Sequence, residues 1–312
     1  MIIVLLLLSG LLLLCIGGDL LVRGAESLAI RLGMTQLVIG LTVVAFGTSA
    51  PELFISIGAA LQDLDDVAIG NAVGSNIANL TLVLGLAACV FPIRVETQVL
   101  KKDAPILIIC SLALCIMLYV SGMLTRGYGA LMVLALITYI SFCIRWGRSD
   151  KLEPEDSKNT ASRSLTLSVF LVVIGLVMLV YGADFFVDGA VQLARMIGIS
   201  EAIISLTLIA LGTSLPEIAS TLIASLKGRG DLAIGNAIGS SIFNILAILG
   251  LTSLITPLSM GNISWVDLAF MTCTALVVLP IFYTGNKMTR PEGAFMVFCY
   301  FAYLSIIAYR IS

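Results

Sequence analysis

Displaced by 165 residues, the sequence matches itself. Between 39–86 and 204–251, 24 of 48 positions are identical with no gap. They include Gly47/Gly212, Thr48/Thr213, Ser49/Ser214, Pro51/Pro216, Glu52/Glu217, Gly70/Gly235, Asn71/Asn236, Gly74/Gly239, Ser75/Ser240 and Asn79/Asn244. Upstream, Gly10/Gly175, Gly17/Gly182, Asp19/Asp184 and Gly24/Gly189 hold the same offset. Two copies of one pattern must fold alike. The architecture is therefore one half plus the rule that relates it to the other.

That rule comes from the apolar runs. The chain is 59% hydrophobic and 12% charged, with a mean hydropathy of +1.10, too little polar surface for a soluble protein of this length. One crossing of the hydrocarbon core takes about 20 apolar residues. Ten runs qualify, at 2–22, 36–61, 67–91, 104–122, 128–146, 165–190, 201–226, 232–256, 264–284 and 292–310. Barrel strands would be shorter and would alternate apolar with polar, so a β-barrel is excluded. Five spans per copy is an odd number, and the second copy must enter the membrane from the opposite side. The expected fold is an all-α integral membrane protein of ten transmembrane helices, arranged as two inverted five-helix repeats. The first repeat is 1–146 and the second 164–312. The polar stretch "GRSDKLEPEDSKNTASR" at 147–163 is too short for a domain and reads as a linker.

Basic residues set the orientation. With the N-terminus outside, 14 of the 17 Lys and Arg lie on the cytoplasmic side, leaving only Arg126, Arg195 and Arg310 outside. This places the linker in the cytoplasm and both termini outside the plasma (inner) membrane. The first run lacks the basic n-region of a signal peptide and belongs to the repeat, so it reads as a retained helix. The seven cysteines are odd in number and all fall within spans, so they read as packing residues rather than a disulfide or metal framework.

The repeated segments "AFGTSAPELFISI" (45–57) and "ALGTSLPEIASTL" (210–222) place a glutamate in mid-span. A charge at a helix centre costs about 2.5–3.5 kcal/mol or more, so intramembrane carboxylates are functional candidates. Each glutamate follows a proline, which removes one N–H and frees a carbonyl one turn earlier, near Gly47 and Thr48 or Gly212 and Thr213. The result is a broken helix offering carboxylate, hydroxyl and carbonyl oxygens together. Hard oxygen donors suit Ca2+ and Na+ rather than soft metals. The third and eighth spans add Ser75 and Asn79, and Ser240 and Asn244, each pair sharing one helix face. Gly70, Gly74, Gly235 and Gly239 at spacing four permit close helix packing. Taken singly, these glycines and hydroxyls fit ordinary packing as well as function. The duplicated Pro-Glu pair does not.

Other acids carry less. Asp19 and Asp184 lie nearer helix ends and suit capping or gating. Asp63, Asp65 and Asp66 form a solvated turn that could also attract cations. Asp188 has no acidic counterpart, because position 23 is Arg.

"GTSAPE" with "GNAVGSNIANL", repeated as "GTSLPE" with "GNAIGSSIFNI", resembles the paired alpha-repeats of the calcium/cation antiporter superfamily, above all its prokaryotic sodium/calcium exchangers. The similarity covers the full chain. It implies an exchanger with four cation sites, one for Ca2+ and the others for Na+. On the matching positions, Glu52 and Glu217 would be the central ligands, with the Thr48 and Thr213 carbonyls completing the Ca2+ site. Ser49, Ser75, Ser214 and Ser240, with backbone oxygens of Ala45 and Ala210, would serve Na+. Asn79 and Asn244 would line the middle. The potassium-dependent branch has an aspartate where this chain has Asn244, which argues against K+ co-transport. The chain has no histidine, unlike the typical proton/calcium branch, and 147–163 is too short for the regulatory calcium-binding domains of animal exchangers.

These readings predict Na+/Ca2+ antiport by alternating access. Ca2+ would neutralise two carboxylates and three Na+ would leave +1, so exchange would be electrogenic, worth about 2.3 kcal/mol per charge per 100 mV. The nearest rival is an H+/Ca2+ or broader cation exchanger, with protons competing at the glutamates. A serine protease lacks its histidine base, an aspartyl protease lacks paired membrane aspartates, and a channel needs no inverted repeat. No enzymatic activity, cofactor or nucleic-acid partner is expected; the lipid bilayer is the surrounding medium.

Overall fold

The computed structural model describes residues 2–147, 164–198, 210–261 and 263–311. In chain order its helices are α1 (Ile2–Leu32), α2 (Gln36–Thr48), α3 (Ala50–Ala60), α4 (Asp65–Val90), α5 (Val99–Ser121), α6 (Arg126–Gly147), α7 (Leu165–Met196), α8 (Ala210–Gly212), α9 (Leu215–Leu226), α10 (Gly230–Ile255), α11 (Trp265–Tyr283) and α12 (Arg290–Ile311). Among the described residues, eight helices are long and apolar enough to cross a membrane. A ninth span consists of α2 and α3, bent by 44° at their junction. Of the expected span at 201–226, residues 201–209 lie outside the described residues and 210–226 form α8 and α9. The expected linker also lies outside them, apart from Gly147.

The first and sixth spans are longer than the sequence reading of 2–22 and 165–190. α1 runs for 31 residues and α7 for 32. At 1.5 Å per residue that is about 46 Å, beyond the roughly 30 Å hydrocarbon core, so their ends project past it. Arg23, Glu26 and Arg31 on the last turns of α1 made this stretch look like a loop. The helix continues until Gly33, whose φ of +63° stops it.

α1 and α7 pack antiparallel on their repeated glycines. A Cβ on Gly17 would lie 2.9 Å from the Gly175 carbonyl, and one on Gly175 would lie 2.8 Å from the Gly17 carbonyl. α4 and α10 form the centre, with 78% and 83% of their apolar windows buried against 22% for α1 and α12. α2 crosses α10 closely, since a Cβ on Gly235 would sit 2.7 Å from the Leu37 carbonyl and one on Gly239 2.8 Å from that of Leu41. The positions equivalent to Leu37 and Leu41 in the second copy, 202 and 206, lie outside the described residues.

Two short antiparallel ribbons link the copies: β1 (Ile93–Arg94) with β4 (Lys287–Met288), and β2 (Met123–Leu124) with β3 (Leu258–Ser259). Beyond them the gapless offset of 165 is corrected to 164. Arg126 and Arg290 each open the last helix of a repeat and donate to the Ile255 and Val90 carbonyls at 3.1 and 3.3 Å. Tyr139 donates to Asp103, and Tyr303 to Asp267, both at 3.2 Å. The second copy is one residue shorter between β3 and Asp267 than the first between β1 and Asp103, in connecting segments that share no identities to reveal it.

Candidate cation site

The breaks in the two motifs are near copies. Ser49 has φ −84° and ψ 4°, and Ser214 has φ −89° and ψ 1°. Pro51 and Pro216 sit in the first turn of α3 and α9, where their missing N–H removes no helical bond. Glu52 and Glu217 follow in the same turn, so each carboxylate sits at a helix N-terminus that favours negative charge. Both are 1% exposed.

Thr48, Ser49, Ser75, Asn79, Ser214, Ser240, Asn244 and Ala45 are buried with them. Thr213 is half-buried, and Ala210 opens α8. Ser49 Oγ donates to Glu217 Oε1 at 3.2 Å, joining the two motifs. Thr48 Oγ1 donates to Asn236 Oδ1 at 3.1 Å and lies 3.4 Å from Ser240 Oγ. The Ala45 carbonyl accepts the Ser49 N–H at 3.0 Å and lies 3.4 Å from Thr48 Oγ1.

Eight buried side-chain N or O atoms have no hydrogen-bond partner among the described residues. Seven belong to repeat residues: both Glu52 oxygens, Glu217 Oε2, Ser214 Oγ, both polar atoms of Asn79, and Asn244 Oδ1; the eighth is Thr252 Oγ1. Each such atom costs about 1–3 kcal/mol when left unpaired. Six of the seven are oxygens, all acceptors with the donor set of a hard-cation site. No cluster of three His, Cys, Asp or Glu side chains occurs among the described residues; the negative charge of the site rests on two glutamates amid neutral oxygens.

Two features went unassigned in the sequence. Asn71 and Asn236 brace the broken helices: Asn71 Nδ2 donates to the Glu52 carbonyl at 3.1 Å and to Ser56 Oγ at 3.0 Å. Asn236 Nδ2 donates to Ser220 Oγ at 3.0 Å and Thr221 Oγ1 at 2.9 Å. Their identity across the repeat was the available signal. π-helical turns at Gly40–Val44, Asn79–Val83 and Asn244–Leu249 had no signal. Two of them start at the site asparagines, and such turns recur at functional positions.

The two copies differ around the site. Gly18 of α1 packs against Ile223 of α9 with no room for a Cβ. The equivalent contact, Ala183 with Gly58, is open, and nothing lies within 4 Å of a Cβ placed on Gly58. Beside Ala183 lies a cavity of about 350 Å³, bounded by Pro51, Ile55, Asp184, Asp188, Thr213 and Pro216.

A bundle of spanning helices whose duplicated, broken segments converge on buried, unpartnered oxygens, in a chain of the family reported next, is a membrane transporter, not an enzyme. The family profile described as "Sodium/calcium exchanger protein" matches residues 2–145 and 167–309. The chain is 39% identical over 308 residues to "Putative antiporter CaxA" of Alkalimonas amylolytica, covering 95% of both chains. It is 38% identical to "Inner membrane protein YrbG" of Escherichia coli, covering 81% of this chain and 79% of the relative. The solved structure of the sodium-calcium exchanger NCX_Mj superimposes with a TM-score of 0.84 at 33% identity, over 97% of this chain and 98% of that one. The chain belongs to the sodium/calcium exchanger family and is a multi-pass cation exchanger.

Proposed function

We propose that this protein exchanges Na+ for Ca2+ by alternating access, with Glu52 and Glu217 as the charged ligands. Thr48, Thr213, Ser49, Ser214, Ser75, Ser240, Asn79, Asn244 and the Ala45 and Ala210 carbonyls supply neutral oxygens. The observation that carries this reading is the set of seven unpartnered buried polar atoms on five repeat residues. Two carboxylates balance one Ca2+, while extra Na+ bound at the neutral oxygens would make exchange electrogenic. The names of the relatives and the open cavity on one face support the same reading. With the N-terminus outside, that cavity faces outward and the closed Gly18–Ile223 contact faces the cytoplasm.

The test is radioactive Ca2+ uptake into vesicles with Na+, K+ or H+ as the only counter-gradient. Uptake requires Na+, persists when choline replaces K+ on both sides, and responds to an imposed voltage. Uptake driven by a pH gradient and indifferent to Na+ would overturn the sodium coupling in favour of proton exchange.

The proposed orientation places the 147–163 linker and the plasma-membrane face of 14 basic residues in the cytoplasm. A protease site engineered into the linker is cut in inside-out vesicles and spared in intact cells. Cleavage from outside would reverse the topology.

A further inference from the structure

Asn244 has its amide direction fixed, and the residues that fix it lie outside the duplicated ligand set. Its Nδ2 donates to Asn76 Oδ1 at 3.0 Å. Asn76 Nδ2 in turn donates to Met271 Sδ at 3.6 Å. All three side chains are 1% exposed. A thioether has lone pairs but no proton and can only accept. The Asn76 amide must therefore turn its NH2 end towards α11, which leaves its carbonyl oxygen facing α10. Asn244 can answer that oxygen only with its own NH2 end. Asn244 Oδ1 is left pointing elsewhere, with no partner among the described residues.

We propose that Met271 and Asn76 act as a positioning relay that holds Asn244 with its oxygen, not its NH2 group, presented to the transported cation. This rests on the exchange reading above and deepens it. An amide is a cation ligand through its oxygen alone; turned over, it would direct partial positive charge at the ion. Fixing the amide before the ion arrives removes that reorganisation from binding.

Among the described residues the relay occurs once. The position equivalent to Asn76 is Ser241, whose hydroxyl donates to the Ala237 carbonyl of its own helix at 2.9 Å. The position equivalent to Met271 is Ile106, or Leu107 with the one-residue slip, and neither can accept a hydrogen bond. Accordingly Asn79, the repeat mate of Asn244, has neither amide atom partnered among the described residues. One asparagine is aimed and the other is left to turn.

The relay also specifies a neutral residue at position 244. A carboxylate there would place an oxygen against Asn76 Oδ1, acceptor against acceptor. It could remain only by taking up a proton, or by turning Asn76 over and bringing its carbonyl oxygen against the Met271 sulfur. Asn76 and Met271 thus keep the site at two carboxylates.

Vesicle exchange kinetics with purified protein test the relay through a double-mutant cycle. Met271→Leu keeps the volume and removes the acceptor. In the Asn244 background it raises the half-saturating Na+ or Ca2+ concentration about three- to tenfold, leaving the maximal rate within about twofold, as expected for one lost neutral hydrogen bond in the apo site. Asn76→Ala does the same. In the Asn244→Asp background the sign reverses: Met271→Leu frees Asn76 to donate to the new carboxylate and so improves transport at neutral pH. A packing role alone would lower yield and maximal rate in both backgrounds without this reversal. If Met271→Leu acts alike in both, or leaves both half-saturations unchanged, the relay is wrong while the exchange reading stands. If the parent takes up no Ca2+ under any cation counter-gradient, the exchange reading fails and the relay with it.

Discussion

Glu52→Gln and Glu217→Gln each abolish Ca2+ transport, by at least about 100-fold, and each leaves a protein that folds and inserts. Glutamine keeps the shape and one oxygen but removes half of the charge that offsets dehydration of a divalent ion, in a site whose other donors are neutral. At buried sites the interaction of charges several ångströms apart is worth several kcal/mol even at an effective dielectric near 20. A loss of 100-fold needs only about 2.7 kcal/mol of it. Stability moves the other way. Both Glu52 oxygens and Glu217 Oε2 are buried without a partner, and a buried charge costs more than an equally unpaired amide, so removing one charge stabilises the ion-free protein. Thermal unfolding in chelator without Na+ checks this. The variants melt above the parent, and added Ca2+ raises the melting temperature of the parent alone. Substantial Ca2+ exchange in either variant would remove the glutamates from the site. A variant that neither transports nor folds is separated from this outcome by the melting curve.

The central architecture was legible because the repeat constrains it twice. Glycines and site residues lie in both copies at one offset, so Glu52 and Glu217, Ser49 and Ser214, Asn79 and Asn244 could be named as pairs. Features present in one copy were not legible. Asn76 and Met271 meet across two helices distant in sequence, and neither has an equivalent at the related position. The projecting ends of α1 and α7 were missed because charged residues there resemble a loop; only tertiary contact keeps them helical. The bends at Ser49 and Ser214 followed from proline, but the π turns depend on how α4 and α10 pack, which periodicity does not encode. The difference between the faces was present in the sequence as unequal residues at related positions, Gly18 with Ala183 and Ile223 with Gly58, but which of them pack together was not.

That difference yields the other large effect: on the proposed orientation, reversing the charges of Lys227 and Arg229 shifts the protein away from its outward-open form. Lys227 pairs with Asp19, which also meets Arg23 at 2.8 Å, and Arg229 pairs with Glu26. These pairs tie α1 to the end of α9 and the turn that follows, across the closed Gly18–Ile223 contact. On the open face the equivalents of Lys227 and Arg229 are Gln62 and Leu64, and those of Arg23 and Glu26 are Asp188 and Val191. Only Asp19 keeps its acid, as Asp184. An inverted repeat reaches its second state by opening one face and closing the other, so the ion pairs are lost in that exchange and none replaces them. The side chains are 15–31% exposed, apart from Arg23 at 53%. Partly exposed pairs contribute about 0.2–1 kcal/mol each, so the two interhelical pairs favour the outward-open form by about 2- to 30-fold. Lys227→Glu with Arg229→Glu removes that bias. The measurement is the rate at which an impermeant maleimide, added outside, labels Thr213→Cys at the cavity wall in a background without native cysteines. The double reversal slows labelling by up to about 30-fold, and adding Asp19→Lys with Glu26→Lys restores it by rebuilding the pairs in opposite polarity. Labelling that ignores the reversal, or that the swap does not recover, would show that these ion pairs exert no hold on the cytoplasmic face.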